Sequence, residues 1–141
     1  MFNKILVPTD GSDNAMKAAN LAVDFARGVQ PVEVEIINVY PVITVNPEGF
    51  FSAESYQEML DREAEKITAT TLALFENADL KAQVVYRGGD AGAEIARYAE
   101  EEGFDLIIMG TRGAGAFSAW VVGSVAQKVV SRASCPVLLV K

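Results

Sequence analysis

The chain contains no histidine. That single absence excludes a Ser-His-Asp or Cys-His nucleophile, an imidazole zinc ligand and a histidine pH switch. Cys135 is the only cysteine, so an intramolecular disulfide and any CxxC site are excluded as well. Basic residues are scarce: 12 Lys and Arg stand against 19 Asp and Glu, for a net charge of −7 and a pI near 4.6. Nucleic-acid binding runs on basic side chains that neutralise phosphates, so this balance argues against DNA or RNA as a partner. No apolar run approaches the roughly 18 residues that a membrane span needs. The apolar start, Met1 to Val7, is broken by Pro8 and Asp10, well short of the core of an export signal. With a reduced thiol, the cytoplasm is the expected compartment.

What is present is ordinary in bulk. A length of 141 residues, with 50% hydrophobic and 22% charged side chains, predicts one globular domain over 1–141. Pro41 to Ser52, with Pro41, Pro47 and Gly49, reads as an insertion.

Short apolar runs alternate with longer helical patterns, the mark of βαβ units and a parallel sheet. Ile5-Leu6-Val7 reads as a buried first strand, followed by the turn Thr9-Asp10-Gly11-Ser12. Ser12 or Asp13 can cap the next helix; Asp13 is the better placed, which leaves Asp10 for a ligand. Met16, Ala19, Val23 and Ala26 give that helix its apolar face, and Gly28 ends it. Val32 to Val39 is a second strand. A long helix over Ala53 to Glu76 carries Tyr56, Leu60, Ala64, Ile67, Thr71 and Leu74 on one face. Gln83 to Arg87 is a third strand, and Asp90 caps a helix bearing Ile95 and Ala99. Leu106 to Met109 is a fourth strand, uniformly apolar as a central parallel strand should be. Val122, Ala126, Val129 and Ala133 mark the last helix, and Val137 to Val140 the fifth strand. The pattern is an α/β open, doubly wound sheet, in which ligands bind beyond the carboxyl ends of the strands. The candidates are therefore Pro8 to Asp10, Tyr40, Gly88 to Asp90 and Gly110 to Gly115.

Glycines cluster at Gly110, Gly113 and Gly115, followed by Gly123-Ser124 at the start of the last helix. Ala116 stands where a Walker loop needs lysine, so this is no P-loop. A dinucleotide fingerprint follows the first strand and carries a further glycine beyond its G-x-G, which Gly113-Ala114-Gly115 lacks. Flavin phosphate would be repelled by Asp10 and Asp13 in the first loop. A receiver's acidic cluster lies at strand carboxyl ends, whereas Asp105 begins its strand. A split phosphate site fits. Gly110 and Gly113 can take positive φ and let a ligand approach, Gly123-Ser124 opens a helix whose unpaired N–H groups favour an anion, and Ser124 adds a hydroxyl.

The spacing Gly110-x2-Gly113-x9-Gly123-Ser124 resembles that of the universal stress protein family, in its nucleotide-binding branch. Val7-Pro8-Thr9-Asp10-Gly11-Ser12, Gly123 to Lys128 and Ser134 to Val140 extend the resemblance over the whole chain. It implies a Rossmann-like, HUP-type sheet of order 3-2-1-4-5 with four helices, binding ATP, or AMP or ADP. Asp10 would lie at the base or ribose, and Val39 would offer its backbone to the adenine edge. Gly110 and Gly113 would line the ribose and α-phosphate, with the amides of Gly123, Ser124 and Val125 on the outer phosphates. The full expected set is Pro8, Thr9, Asp10, Val39, Met109, Gly110, Arg112, Gly113, Gly123, Ser124 and Val125, with no catalytic residue. Many members carry a basic residue between the second and third motif glycines. Here Phe117-Ser118-Ala119-Trp120 is neutral, which leaves Arg112 as the loop's one cation and implies Mg or Mn beside the phosphates. The resemblance also implies a homodimer that pairs strands 136–140.

Plainer roles compete for some of these residues. Asp10 could merely cap the first helix, Arg112 could be solvated, and Phe117 and Trp120 fit a core or lid. Cys135 reads as a small buried apolar residue. The expected function is a nucleotide-responsive regulatory module acting on a protein partner that the sequence does not name. A slow ATP hydrolase ranks lower, for want of a catalytic lysine or paired carboxylates, and a dimeric interaction protein without nucleotide is the third possibility.

Overall fold

The computed structural model describes residues 2–28, 31–42, 53–112 and 121–141. Along the chain they form β1 (Lys4–Pro8), α1 (Asp13–Gly28), β2 (Glu33–Tyr40), α2 (Ala53–Glu76), β3 (Gln83–Gly88), α3 (Ala91–Glu101), β4 (Leu106–Gly110), α4 (Ser124–Arg132) and β5 (Val137–Val140). The five strands are all parallel, in the order β3-β2-β1-β4-β5, as the resemblance implies. Of the expected insertion, residues 43–52 lie outside the described residues, as do Gly113, Phe117 and Trp120.

Two apolar layers sandwich the sheet because strand side chains alternate between faces. Ile5, Val7, Ile36 and Ile108 join the alanine face of α1 and Phe75 of α2 on one side. Leu6, Ile37, Ile107 and Met109 meet Ile95, Ala99, Ala126 and Val129 of α3 and α4 on the other. Ala18, Ala19, Ala22 and Ala26 are fully buried, and their small side chains let α1 lie close on the sheet. Each fully buried Ile, Leu or Phe contributes roughly 1.5–3 kcal/mol, so the inner strands anchor the fold. Asp105 ties the two innermost strands together at their start, accepting the amides of Asn3 at 2.8 Å and Lys4 at 3.0 Å.

The last helix is shorter than its apolar spacing implies. Val122 precedes it and Ala133 follows it, though both still pack on the α3–α4 side of the core. The alternation of Val32-Glu33-Val34-Glu35 also hides a buried charge. Glu35 lies under α3, where the Tyr98 hydroxyl donates to its Oε2 at 2.7 Å, and the Arg87 guanidinium sits 4.7 Å from the Tyr98 ring centre.

Candidate functional site

At the carboxyl end of β1 the backbone is fully committed. The Thr9 amide donates to Ile37 O at 2.9 Å, and the Asn38 side chain donates to Thr9 O at 2.9 Å. The Thr9 hydroxyl lies 3.1 Å from that of Thr71, which moors α2 to the strand end. Gly11 then turns the chain with φ +78°, a conformation L side chains rarely adopt. Ser12, not Asp13, caps α1: its Oγ accepts the Ala15 amide at 3.3 Å, while Asp13 is already the first helical residue. Asp10 braces the same turn, its Oδ1 accepting the Ser12 amide at 2.9 Å. The expected division of labour between the two aspartates is thereby revised, because Asp10 serves the turn even as it faces the cavity.

Gly110, at the end of β4, has a different reason from the one expected. It does not take positive φ; among the described residues the glycines that do are Gly11, Gly89 and Gly103. A Cβ at position 110 would fall 2.8 Å from the carbonyl carbon of Asn14 and 3.0 Å from the Ala15 amide nitrogen. Glycine is required there because the start of α1 crosses β4 in backbone contact.

Beyond β4, Thr111 closes the next loop at its base. Its amide donates to Val140 O at 2.9 Å, and its carbonyl accepts the Gly123 amide at 2.6 Å. The Gly123 N–H is therefore engaged within the fold and is not aimed at a phosphate. Gly123 is the N-cap of α4, with extended backbone and no side-chain cap. The amides of the helix's first turn consequently lack the side-chain partner that most helix starts carry. Arg112 faces the same space, and its buried Nε has no hydrogen-bond partner among the described residues.

The opposite wall comes from α3. Asp90 caps it as expected, accepting the Ala93 amide at 3.0 Å, and also receives Lys128 Nζ of α4 on both carboxylate oxygens at 2.9 Å. Lys128 and the Ala93 amide hold the Asp90 carboxyl below its ordinary range. Gly92 lets the two helices meet, since a Cβ there would lie 2.7 Å from Cβ of Lys128.

These elements enclose a cavity of about 390 Å³, of the size that binds small ligands. Pro8, Thr9, Asp10, Val39, Met109, Gly110, Arg112, Gly123, Ser124 and Val125 all line it; Gly113 lies outside the described residues. Ala15, Ile37, Ala91, Ile95, Thr111 and Ala126 line it too and were not singled out from the sequence. Ala91 and Ile95 come from an element whose own loop was the candidate, and only the packing of α3 on α4 brings them in. Tyr40 and Gly88 to Asp90, also candidates, do not reach the cavity. One half of the lining is apolar, through Ile37, Val39, Ile95 and Met109. The other half offers donors, through Arg112, Ser124 and the start of α4. Among the described residues no group of three or more His, Cys, Asp or Glu could hold a metal ion. Cys135 is half-buried rather than buried, and burial pushes its thiol above the ordinary value, away from the reactive thiolate.

The universal stress protein family model matches residues 1–141. The chain belongs to that family. A universal stress protein of Thermus aquaticus is 40% identical over 142 residues, with all of both chains covered. The solved structure of MJ0577, a universal stress protein of Methanocaldococcus jannaschii, superposes with a TM-score of 0.87 at 30% identity, over 100% of this chain and 96% of that one. The structure of a universal stress protein from Archaeoglobus fulgidus in complex with dAMP shares the fold at a TM-score of 0.73 and 20% identity, over 100% and 98% of the chains. No helix among the described residues is long and apolar enough to cross a membrane.

Proposed function

We propose that this member of the family binds an adenine nucleotide in the cavity and works as a nucleotide-responsive regulatory module. The observation that carries it is the two-sided lining: an apolar half fit for a base and a donor half fit for a phosphate, in one space of about 390 Å³. The buried Arg112 Nε, without a partner among the described residues, supports an anion there, since such an atom is costly until a partner arrives. The resemblance puts ATP first, with Mg or Mn arriving on the phosphates; ADP and AMP share the nucleoside half. The Archaeoglobus protein with dAMP offers a precedent for the fold, while the case for this chain rests on its own lining. Asp10 is the sole carboxylate among the described lining residues, and the proposed orientation puts it at the nucleoside half, out of reach of the outer phosphates as a general base. A module that changes state with its ligand suits the site better than an enzyme, and the cytoplasm is the setting in which we place it.

Calorimetry on two variants tests the orientation. Asp10→Ala is expected to weaken adenosine and its nucleotides by a similar factor, since the contact is to the nucleoside half. Ser124→Ala is expected to weaken the nucleotides about 5-fold, the worth of one hydrogen bond, and to leave adenosine unchanged. The reverse pattern would overturn the orientation. Turnover of ATP should stay below about 0.1 per second, far under ordinary enzymes; faster steady release of phosphate would favour the hydrolase.

The same molecule is proposed to be a homodimer through its last strand. β5 is an edge strand, and all four of its apolar residues remain half-buried rather than covered. Its ladder to β4 uses the carbonyls of Pro136 and Val140, which receive the amides of Ile107 and Thr111. Parallel pairing alternates, so Val137 and Leu139 turn their backbone groups to the open side. Leu139→Pro therefore removes an outward N–H and spares the inner ladder. Light scattering should give a wild-type mass near twice 15.1 kDa, and a shift towards 15.1 kDa for the variant. A monomeric wild type would refute the dimer.

A further inference from the structure

We propose that Asp90, Gly92 and Lys128 are positioning residues for the ligand of the cavity, although none of them is among its described lining residues. They set how closely α3 lies against α4. With it they set the span between the wall that carries Ala91 and Ile95 and the wall that carries Ser124 and Ala126. This rests on the nucleotide reading above, and it puts the fit of that site under the control of residues outside it.

Each wall is tied to the sheet at its own end. The Gly89 amide donates to Tyr40 O at 2.9 Å, which holds the start of α3 at the end of β2. The Gly123 amide donates to Thr111 O, which holds the start of α4 beyond β4. Between the two lies a seam that is closed in two ways. Gly92, the second residue of α3, offers no side chain, and the Lys128 stem fills the space. A Cβ on Gly92 would lie 2.7 Å from Lys128 Cβ, 2.9 Å from its Cδ and 3.0 Å from its Cγ. From this notch Lys128 Nζ reaches both oxygens of Asp90 at 2.9 Å, and Asp90 caps α3 through the Ala93 amide. Arg132, one turn further along α4, adds its field to that carboxylate.

The notch leaves the helices no slack. Cγ and Cδ of Lys128 can rotate away from an added methyl, but its Cβ is fixed to the backbone of α4, so the helices would have to part. Moving that contact from 2.7 Å out to 3.4 Å, where ordinary van der Waals contact begins, takes about 0.7 Å. Ala91 adjoins Gly92 and Ile95 lies one turn on, so both would shift with it. Binding geometries are held to about 0.5 Å, and such a shift therefore reaches the ligand. The ion pair acts in the same direction with less force. Its side chains are 38% and 56% exposed, where a pair is worth at most about 5-fold in an equilibrium and is screened by salt.

Calorimetry on the full chain, with adenosine and with ATP, reads the span. Gly92→Ala should bind both about 5-fold or more weaker than wild type. Adding Lys128→Gly, which moves the space to the other side of the seam, should regain most of that loss. Gly103→Ala separates positioning from stability: its φ of +72° strains an alanine at the end of α3 away from the cavity. That variant should melt earlier yet bind as wild type does. Asp90→Asn keeps the cap and loses the charge. It and Lys128→Met should each weaken uncharged adenosine about 2- to 3-fold in low salt, and the double variant no more than either alone. The difference should vanish in about 1 M NaCl. Wild-type affinity in Gly92→Ala, no recovery with Lys128→Gly, or an equal loss in Gly103→Ala would overturn the positioning role and leave the nucleotide reading standing. A loss in Asp90→Asn that persists in high salt would overturn the part given to the ion pair. If wild type binds neither adenosine nor ATP, the nucleotide reading and the positioning role fall together.

Discussion

Gly110→Val should lower the melting temperature by roughly 10 °C, through a loss of about 3 kcal/mol or more. The added Cβ alone would stand 2.8 Å from the Asn14 carbonyl carbon and 3.0 Å from the Ala15 nitrogen, and both are backbone atoms that cannot rotate away. Relief requires α1 to lift from β4, which unpacks the buried alanines behind it. The cavity would suffer with the fold, because Gly110 and Ala15 both line it. Gly28→Ala is the matched control: nothing lies within 4 Å of its added Cβ, so its melting temperature should stay close to the wild type. Thermal unfolding followed by circular dichroism compares the three proteins. A Gly110→Val protein as stable as the control would show that β4 and α1 separate freely, and would return Gly110 to a role in ligand approach alone.

Tyr98→Phe should cost roughly 2–3 kcal/mol at neutral pH, because it leaves the buried Glu35 carboxylate without its 2.7 Å donor. The same hydroxyl sets an alkaline limit on stability. Burial first, and then the bond to Glu35, push the Tyr98 phenol up to about 12 from its ordinary 10.0. A raised phenol favours the neutral form in the folded state, so its contribution is complete below pH 10 and is lost as the pH rises towards 12. Urea unfolding at a series of pH values should show the wild type weakening across that window by more than the Tyr98→Phe protein does. Identical alkaline limbs would show that Tyr98 ionises without disturbing Glu35.

The fold was legible because its signals are local. Apolar runs such as Leu106 to Met109, helical spacing over Ala53 to Glu76 and the cap at Asp90 depend on neighbours a few residues apart. The limits of α2 and β5 match those expected from that spacing. Phe75 was missed on the buried face of α2, since the face widens at its end to cover the sheet.

The site divides along the same line. Its location beyond the strand ends, and nearly all of its expected lining, follow from topology and motif spacing, which the amino-acid order alone determines. Which group is free to meet a ligand does not follow from them. Gly123 gives its amide to Thr111, Asp10 to its own turn one carboxylate oxygen, Gly110 its missing side chain to Asn14, and Lys128 its charge to Asp90. Asp10 apart, each of these depends on a partner brought in from elsewhere in the chain by packing, where a few tenths of an ångström separate a contact from a clash. Tertiary structure alone decided those pairings, because hydrogen bonds and close contacts are settled by distance in space and carry no period along the sequence.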